Sequence, residues 1–119
     1  MDGHPDPRGA AEGMVGMQGA GREELVDWVA ENVARRRGDG IAWGQRAMAD
    51  RPDRTEVLRS VDAPVVVVLG EADSIVRREA GLAMAEAAGV EPVMLAGVGH
   101  LAALEAPAEV ARAIEPLLD

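Results

Sequence analysis

Two residues in this chain have the types and the placement for acid–base chemistry. Asp73 lies in Gly70–Glu71–Ala72–Asp73, directly after the aliphatic run Val65–Val66–Val67–Val68–Leu69. His100 lies in Gly97–Val98–Gly99–His100, after the shorter run Pro92–Val93–Met94–Leu95–Ala96. An unperturbed imidazole takes and returns a proton near neutrality. A carboxylate held against one of its nitrogens fixes the tautomer and stabilises the imidazolium that forms. If the two runs are neighbouring strands, they lie about 4.8 Å apart. Short loops on the same sheet edge then bring carboxylate and imidazole within hydrogen-bond distance. On spacing alone, an aspartate opening a turn and a histidine on a surface loop fit these residues equally well.

The elements that must position the pair are legible around it. Val65 to Leu69 reads as a strand covered on both faces, the mark of a parallel sheet, and Pro64 is tolerable at a strand's start. A helix follows near Arg77 to Ala88, with Ala80, Ala83, Met84 and Ala87 on one face and Gly89 as its stop. Residues 64–96 therefore read as strand, helix, strand with a right-handed crossover. In such a sheet functional groups gather at the carboxyl ends of the strands. The last helix starts near Pro107, a favoured first position. Its stripe is Val110, Ala113, Ile114, Leu117 and Leu118, and Pro116 kinks or frays its final turn.

The first half has a different character. From Arg22 onward, Leu25, Val26, Val29, Ala30 and Val33 recur at helical spacing, with Gly38 and Gly40 as the stop. Arg35–Arg36–Arg37 reads as a solvated helix end at the negative pole of the dipole. A second helix is expected over Ile41 to Ala49 and a third over Thr55 to Val61. Arg51–Pro52–Asp53 separates them, because a residue before proline avoids the helical region. Residues 22–61 should thus be helical, with no strand. Residues 1–21 carry many glycines, Pro5, Pro7 and three methionines without an apolar period, and read as an irregular leader.

Longer words in the chain point to a family. Ala63–Pro64–Val65–Val66–Val67–Val68–Leu69–Gly70–Glu71–Ala72–Asp73 resembles the late strand and acid loop of the α/β-hydrolases. Gly97–Val98–Gly99–His100–Leu101, followed by Leu104–Glu105–Ala106–Pro107, resembles that family's histidine loop and the start of its last helix. The acid precedes the histidine, as the family's order requires. Ile41 to Asp53, above all Arg46–Ala47–Met48–Ala49–Asp50–Arg51–Pro52–Asp53, looks like the end of a helical cap. The resemblance implies a partial α/β-hydrolase fold in three parts. These are the irregular leader 1–21, a helical cap-like segment 22–61, and a C-terminal strand–helix–strand–helix part of the parallel core over 62–119. It implies His100 as general base and Asp73 as its orienter, serving attack on an ester, lactone, amide or carbon–halogen centre. Members often have prolines after the acid, where this chain has Ser74–Ile75–Val76–Arg77–Arg78.

The nucleophile is missing from this pattern. The family's elbow needs Gly-x-Ser-x-Gly, or Asp in place of Ser, on a tight strand-to-helix turn. Ser60 sits in Leu58–Arg59–Ser60–Val61, and Ser74 directly follows the acid. Met14–Val15–Gly16–Met17–Gln18–Gly19 has glycines but no nucleophile, and Asp39, between Gly38 and Gly40, follows a helix. The expectation is a C-terminal hydrolase fragment that is inactive alone. Two other readings stand beside it: a non-catalytic α/β module that binds or self-associates, and one half of a split hydrolase. Retention of both acid and histidine favours the fragment or the split enzyme.

Bulk properties narrow the rest. At 119 residues the chain is one domain or a piece of one. Aromatic residues make up 2%, Trp28 and Trp43 alone, so any core must be aliphatic. A net charge of −9 disfavours nucleic acid and anionic membrane as partners. The twelve basic residues are all arginine and mostly scattered. Without cysteine there is neither disulfide nor thiolate metal site. His4 and His100 show no metal-ligand spacing, and no cofactor is implied. No apolar run approaches membrane length and no signal-peptide pattern opens the chain, which leaves the cytoplasm as the default location. An open sheet edge predicts self-association or a complementing chain.

Overall fold

The computed structural model describes residues 6–16 and 21–118. Its first element corrects the expected irregular leader, because Pro7–Met14 forms a helix, α1. Asp6 caps it by accepting the Arg8 N–H at 3.2 Å. Pro7 fills a first-turn position where no N–H partner is needed. Ala11 is fully buried with Val15 against Val26 and Val29 of the next helix, α2 (Glu23–Ala34). Small side chains hid this stripe, whereas Asp6–Pro7 was a legible start signal. Residues 1–5, with His4, and residues 17–20 lie outside the described residues.

The stripe of α2 is the one its periodicity predicts. Val26 and Val29 are buried, while Leu25, Ala30 and Val33 pack against them. The helix ends at Ala34 with Arg35 as its cap, before the glycines expected to stop it. Gly38 and Gly40 instead open α3 (Gly38–Asp50), after an extended Arg37 whose guanidinium donates to Asp39 at 3.0 Å. Arg51–Pro52 closes α3. Next, α4 (Thr55–Leu58) is one turn, shorter than the stretch to Val61, and Asp53 accepts its Thr55 N–H at 2.8 Å. No strand occurs among the described residues of 22–61, in agreement with the helical spacing.

The sheet has two parallel strands, β1 (Val68–Gly70) and β2 (Val93–Leu95), in the register Val68↔Val93, Leu69↔Met94 and Gly70↔Leu95. Between them runs α5 (Arg78–Ala88). Gly89 closes α5 at φ 71°, a left-handed value, and the Val90 N–H donates to the Ala85 carbonyl at 3.0 Å. Val65 to Val67 fall outside the ladder, although the Val67 carbonyl still accepts the Val93 N–H. The run is half-buried rather than covered on both faces. Burial on both faces requires neighbours, and β2 is the only strand beside β1 among the described residues.

The chain end divides more finely than its stripe suggests. A separate turn, α6 (Ala102–Glu105), precedes α7 (Pro107–Ile114), because Ala106 before Pro107 is held at φ −140°, ψ 60°. Pro116 lies in a 3-10 turn, Glu115–Leu118, that ends the helix. Leu95, Val98 and Ala106 form a second small core with Val68, Val93, Ala102 and Val110 packed on it. Much apolar surface remains uncovered: Trp43 is 68% exposed and Leu118 76%. The accessible surface of 8409 Å² exceeds the roughly 6100 Å² of a compact monomer of this mass.

Two backbone segments cross at Gly16 and Gly99. A Cβ on Gly99 would lie 2.4 Å from the Gly16 nitrogen, and one on Gly16 only 2.5 Å from the Gly99 nitrogen. Gly99→Ala is therefore expected to destabilise the fold by about 1–3 kcal/mol. Gly44→Ala, in open space within α3, should instead gain up to about 1 kcal/mol. Denaturant midpoints of the two variants check this, and an equal response of both would contradict the crossing.

Candidate active site

The acid loop and the histidine loop are stitched together by backbone hydrogen bonds. The Glu71 N–H donates to the Leu95 carbonyl at 2.9 Å, and the Ala72 N–H to the Val98 carbonyl at 2.8 Å. These bonds continue the parallel pairing past Gly70 and set both loops on one sheet edge. Asp73 divides its carboxylate between two tasks. Oδ1 accepts the N–H groups of Ile75 at 2.8 Å and Val76 at 3.0 Å, an Asx turn that fixes the side chain. Oδ2 faces His100 Nδ1 at 3.3 Å. The structure thus brings together the two residues that the sequence singled out. That contact is slightly longer than an ordinary N–H···O bond, and active-site hydrogen bonds are often long without substrate.

Electrostatics and exposure favour a charged acid beside an accessible base. Burial works against the Asp73 charge, but the N–H groups of Val76 and Ile75, and then His100, outweigh it. The carboxyl is held below its ordinary value. The Asp73 side chain is 15% exposed and that of His100 37%. A carboxylate facing Nδ1 places the neutral ring's proton on that atom and leaves Nε2 free to act as a base. One side of His100 borders a shallow apolar hollow lined also by Val68, Leu101, Ala102, Leu104 and Val110.

Two polar residues that sequence reasoning did not single out hold the histidine loop. The Glu105 side chain is fully covered. Its Oε1 accepts from the N–H of Gly16 at 2.7 Å, the N–H of Gly99 at 3.0 Å and Arg22 Nη1 at 2.8 Å. Its Oε2 accepts from the Leu101 N–H at 3.2 Å. Arg22 Nη1 also donates to the Gly97 carbonyl at 2.9 Å. Glu105 appeared in the sequence only as part of a family word. No local spacing marks a contact between positions 22 and 105.

The hydroxyls of the chain are engaged elsewhere. Ser74 Oγ donates to the Gly13 carbonyl at 2.9 Å, Ser60 Oγ to the Val57 carbonyl at 3.1 Å, and Thr55 Oγ1 to Asp53 at 2.6 Å. These are all the serines and threonines, and the sequence has no Cys, Tyr or Lys. Among the described residues, no group of three or more His, Asp or Glu side chains is arranged to hold a metal ion. No helix of the described residues is long and apolar enough to cross a membrane.

A parallel strand–helix–strand unit carrying an acid after one strand and a histidine after the next is an α/β-hydrolase arrangement. The family model described as "Alpha/beta hydrolase family" matches residues 3–113. The chain belongs to the α/β-hydrolase family. No curated protein matches it in sequence.

The lowered pKa of Asp73 has a consequence for stability. A carboxyl that is more acidic folded than unfolded contributes stability above its unfolded value, and that contribution is lost as pH falls through the folded one. Unfolding free energy should therefore fall more steeply below about pH 4 in the wild type than in Asp73→Asn. Asparagine keeps an oxygen for the Asx turn, so the variant isolates the charge. Urea titrations across that range measure the two slopes, and identical slopes would contradict the shift.

Proposed function

We propose that this chain supplies the acid–base pair of an α/β-hydrolase centre, with His100 as general base and Asp73 as its orienter. The nucleophile would come from outside these 119 residues. The observation that carries this reading is the 3.3 Å approach of Asp73 Oδ2 to His100 Nδ1 in a chain whose three hydroxyls all donate elsewhere. In a completed centre, Nε2 removes the proton of the attacking hydroxyl and returns it to the leaving group, while the Asp73 charge stabilises the intervening imidazolium. Substrates would be esters, lactones or related acyl compounds.

The uncovered surface supports completion by further polypeptide. β1 and β2 each leave an edge without a strand partner among the described residues, and unpaired edges beside valines are templates for pairing. A compact hydrolase core would pair those edges and cover the half-buried run Val65–Leu69. By this reading the chain is one part of a larger catalytic unit.

Alone, the chain should hydrolyse a chromogenic short-chain ester no faster than free imidazole at equal concentration, and His100→Ala should remove at most that background. Faster hydrolysis that His100→Ala abolishes would overturn the external nucleophile. A long-range nitrogen-15 spectrum near neutrality tests the pair itself. Neutral His100 is expected as the Nδ1–H tautomer in the wild type and as a mixture in Asp73→Asn. An Nε2–H ring in the wild type would contradict the role given to His100.

A further inference from the structure

We infer that Glu105 is the positioning residue of the acid–histidine pair and that, through Arg22, it makes the placement of His100 depend on the seating of the helical segment. The inference rests on the reading of His100 as the base. Three consecutive backbone N–H groups around the histidine have assigned acceptors. Gly99 donates to Glu105 Oε1, His100 to the Met14 carbonyl at 2.8 Å, and Leu101 to Glu105 Oε2. One carboxylate thus holds the residues on both sides of His100, and the end of α1 holds His100 between them. The backbone of His100 cannot shift along the strand direction without breaking one of the three bonds.

The same carboxylate reaches the first half of the chain. Its Oε1 takes the Gly16 N–H after α1, and it pairs with Arg22 at the start of α2. Arg22 in turn holds the Gly97 carbonyl in the histidine loop. Ser74 Oγ on the Gly13 carbonyl adds a tie from the acid loop to the same end of α1. The seat of α1 and α2 and the position of the imidazole therefore share one buried anchor. Catalytic geometry tolerates displacements well under an ångström, so release of this anchor would be felt at the pair before it was felt by the helices.

The experiment compares the full chain with Glu105→Gln, which keeps volume and one carbonyl oxygen but opposes an NH2 group to one set of donors. In the wild type, Gly99 and Leu101 amides should exchange at least about 100-fold more slowly than unprotected peptide. In Glu105→Gln, at least one of them should exchange about 10-fold faster while amides of α5 are unchanged. The nitrogen-15 spectrum should lose its Nδ1–H preference for His100. Faster amide exchange with an unchanged tautomer would reduce Glu105 to a structural role and overturn the inference, as would no change in either. If Glu105→Gln does not fold, the wild-type exchange decides, and unprotected Gly99 and Leu101 amides overturn the network. A wild type without the Nδ1–H tautomer would instead overturn the pairing of Asp73 with His100, a separate failure.

Discussion

A carboxylate removed from water must have its oxygens filled with donors, and in this chain that demand organises the site. Glu105 receives four donors from three separate stretches: the end of α1, the start of α2 and the histidine loop. Burial distinguishes its pair with Arg22 from the others. Exposed ion pairs such as Arg8–Glu12 or Arg37–Asp39 contribute little, because water screens both partners. In the Arg22–Glu105 pair the arginine is 29% exposed but the glutamate is fully covered, so loss of Arg22 would leave a charge that water does not reach. The close crossing of Gly16 and Gly99 follows from the same requirement, since two backbone N–H groups must reach one oxygen.

Around that anchor, the pair is built almost entirely by backbone. The parallel register of β1 and β2 puts both loops on one edge, and the bonds from Glu71 and Ala72 extend the alignment up to Asp73. The Asx turn occupies one Asp73 oxygen and aims the other at the imidazole. The charge of Asp73 and its direction toward Nδ1 of His100 thus follow from the backbone arrangement of the two loops. The three hydroxyls of the chain donate elsewhere, and Ser74, next to the acid in sequence, turns to the Gly13 carbonyl.

Asp73 and His100 were legible because each follows an aliphatic run, and a parallel sheet collects such residues at one edge. The helices of 22–61 were legible because their stripes repeat at three and four. What escaped the sequence depended on distant partners. α1 buries only Ala11, with Val15 just beyond it and Met14 packed alongside, so its period is faint. Gly38 and Gly40 looked like a stop, and only the extended Arg37 shows that they begin a helix. The double burial expected of Val65–Leu69 is a property of neighbours rather than of the run itself. Glu105 and Arg22 meet across 83 positions, and no local rule signals that contact.

The most direct test of a preassembled acid–base pair is a double-mutant cycle on Asp73 and His100. Unfolding free energies of the wild type, Asp73→Asn, His100→Ala and the double variant at neutral pH give the coupling between the two side chains. A pair in contact should couple by at least about 0.5 kcal/mol. Additivity to within about 0.3 kcal/mol would mean that carboxylate and imidazole do not meet in solution, and the assignment of His100 as an oriented base would be wrong.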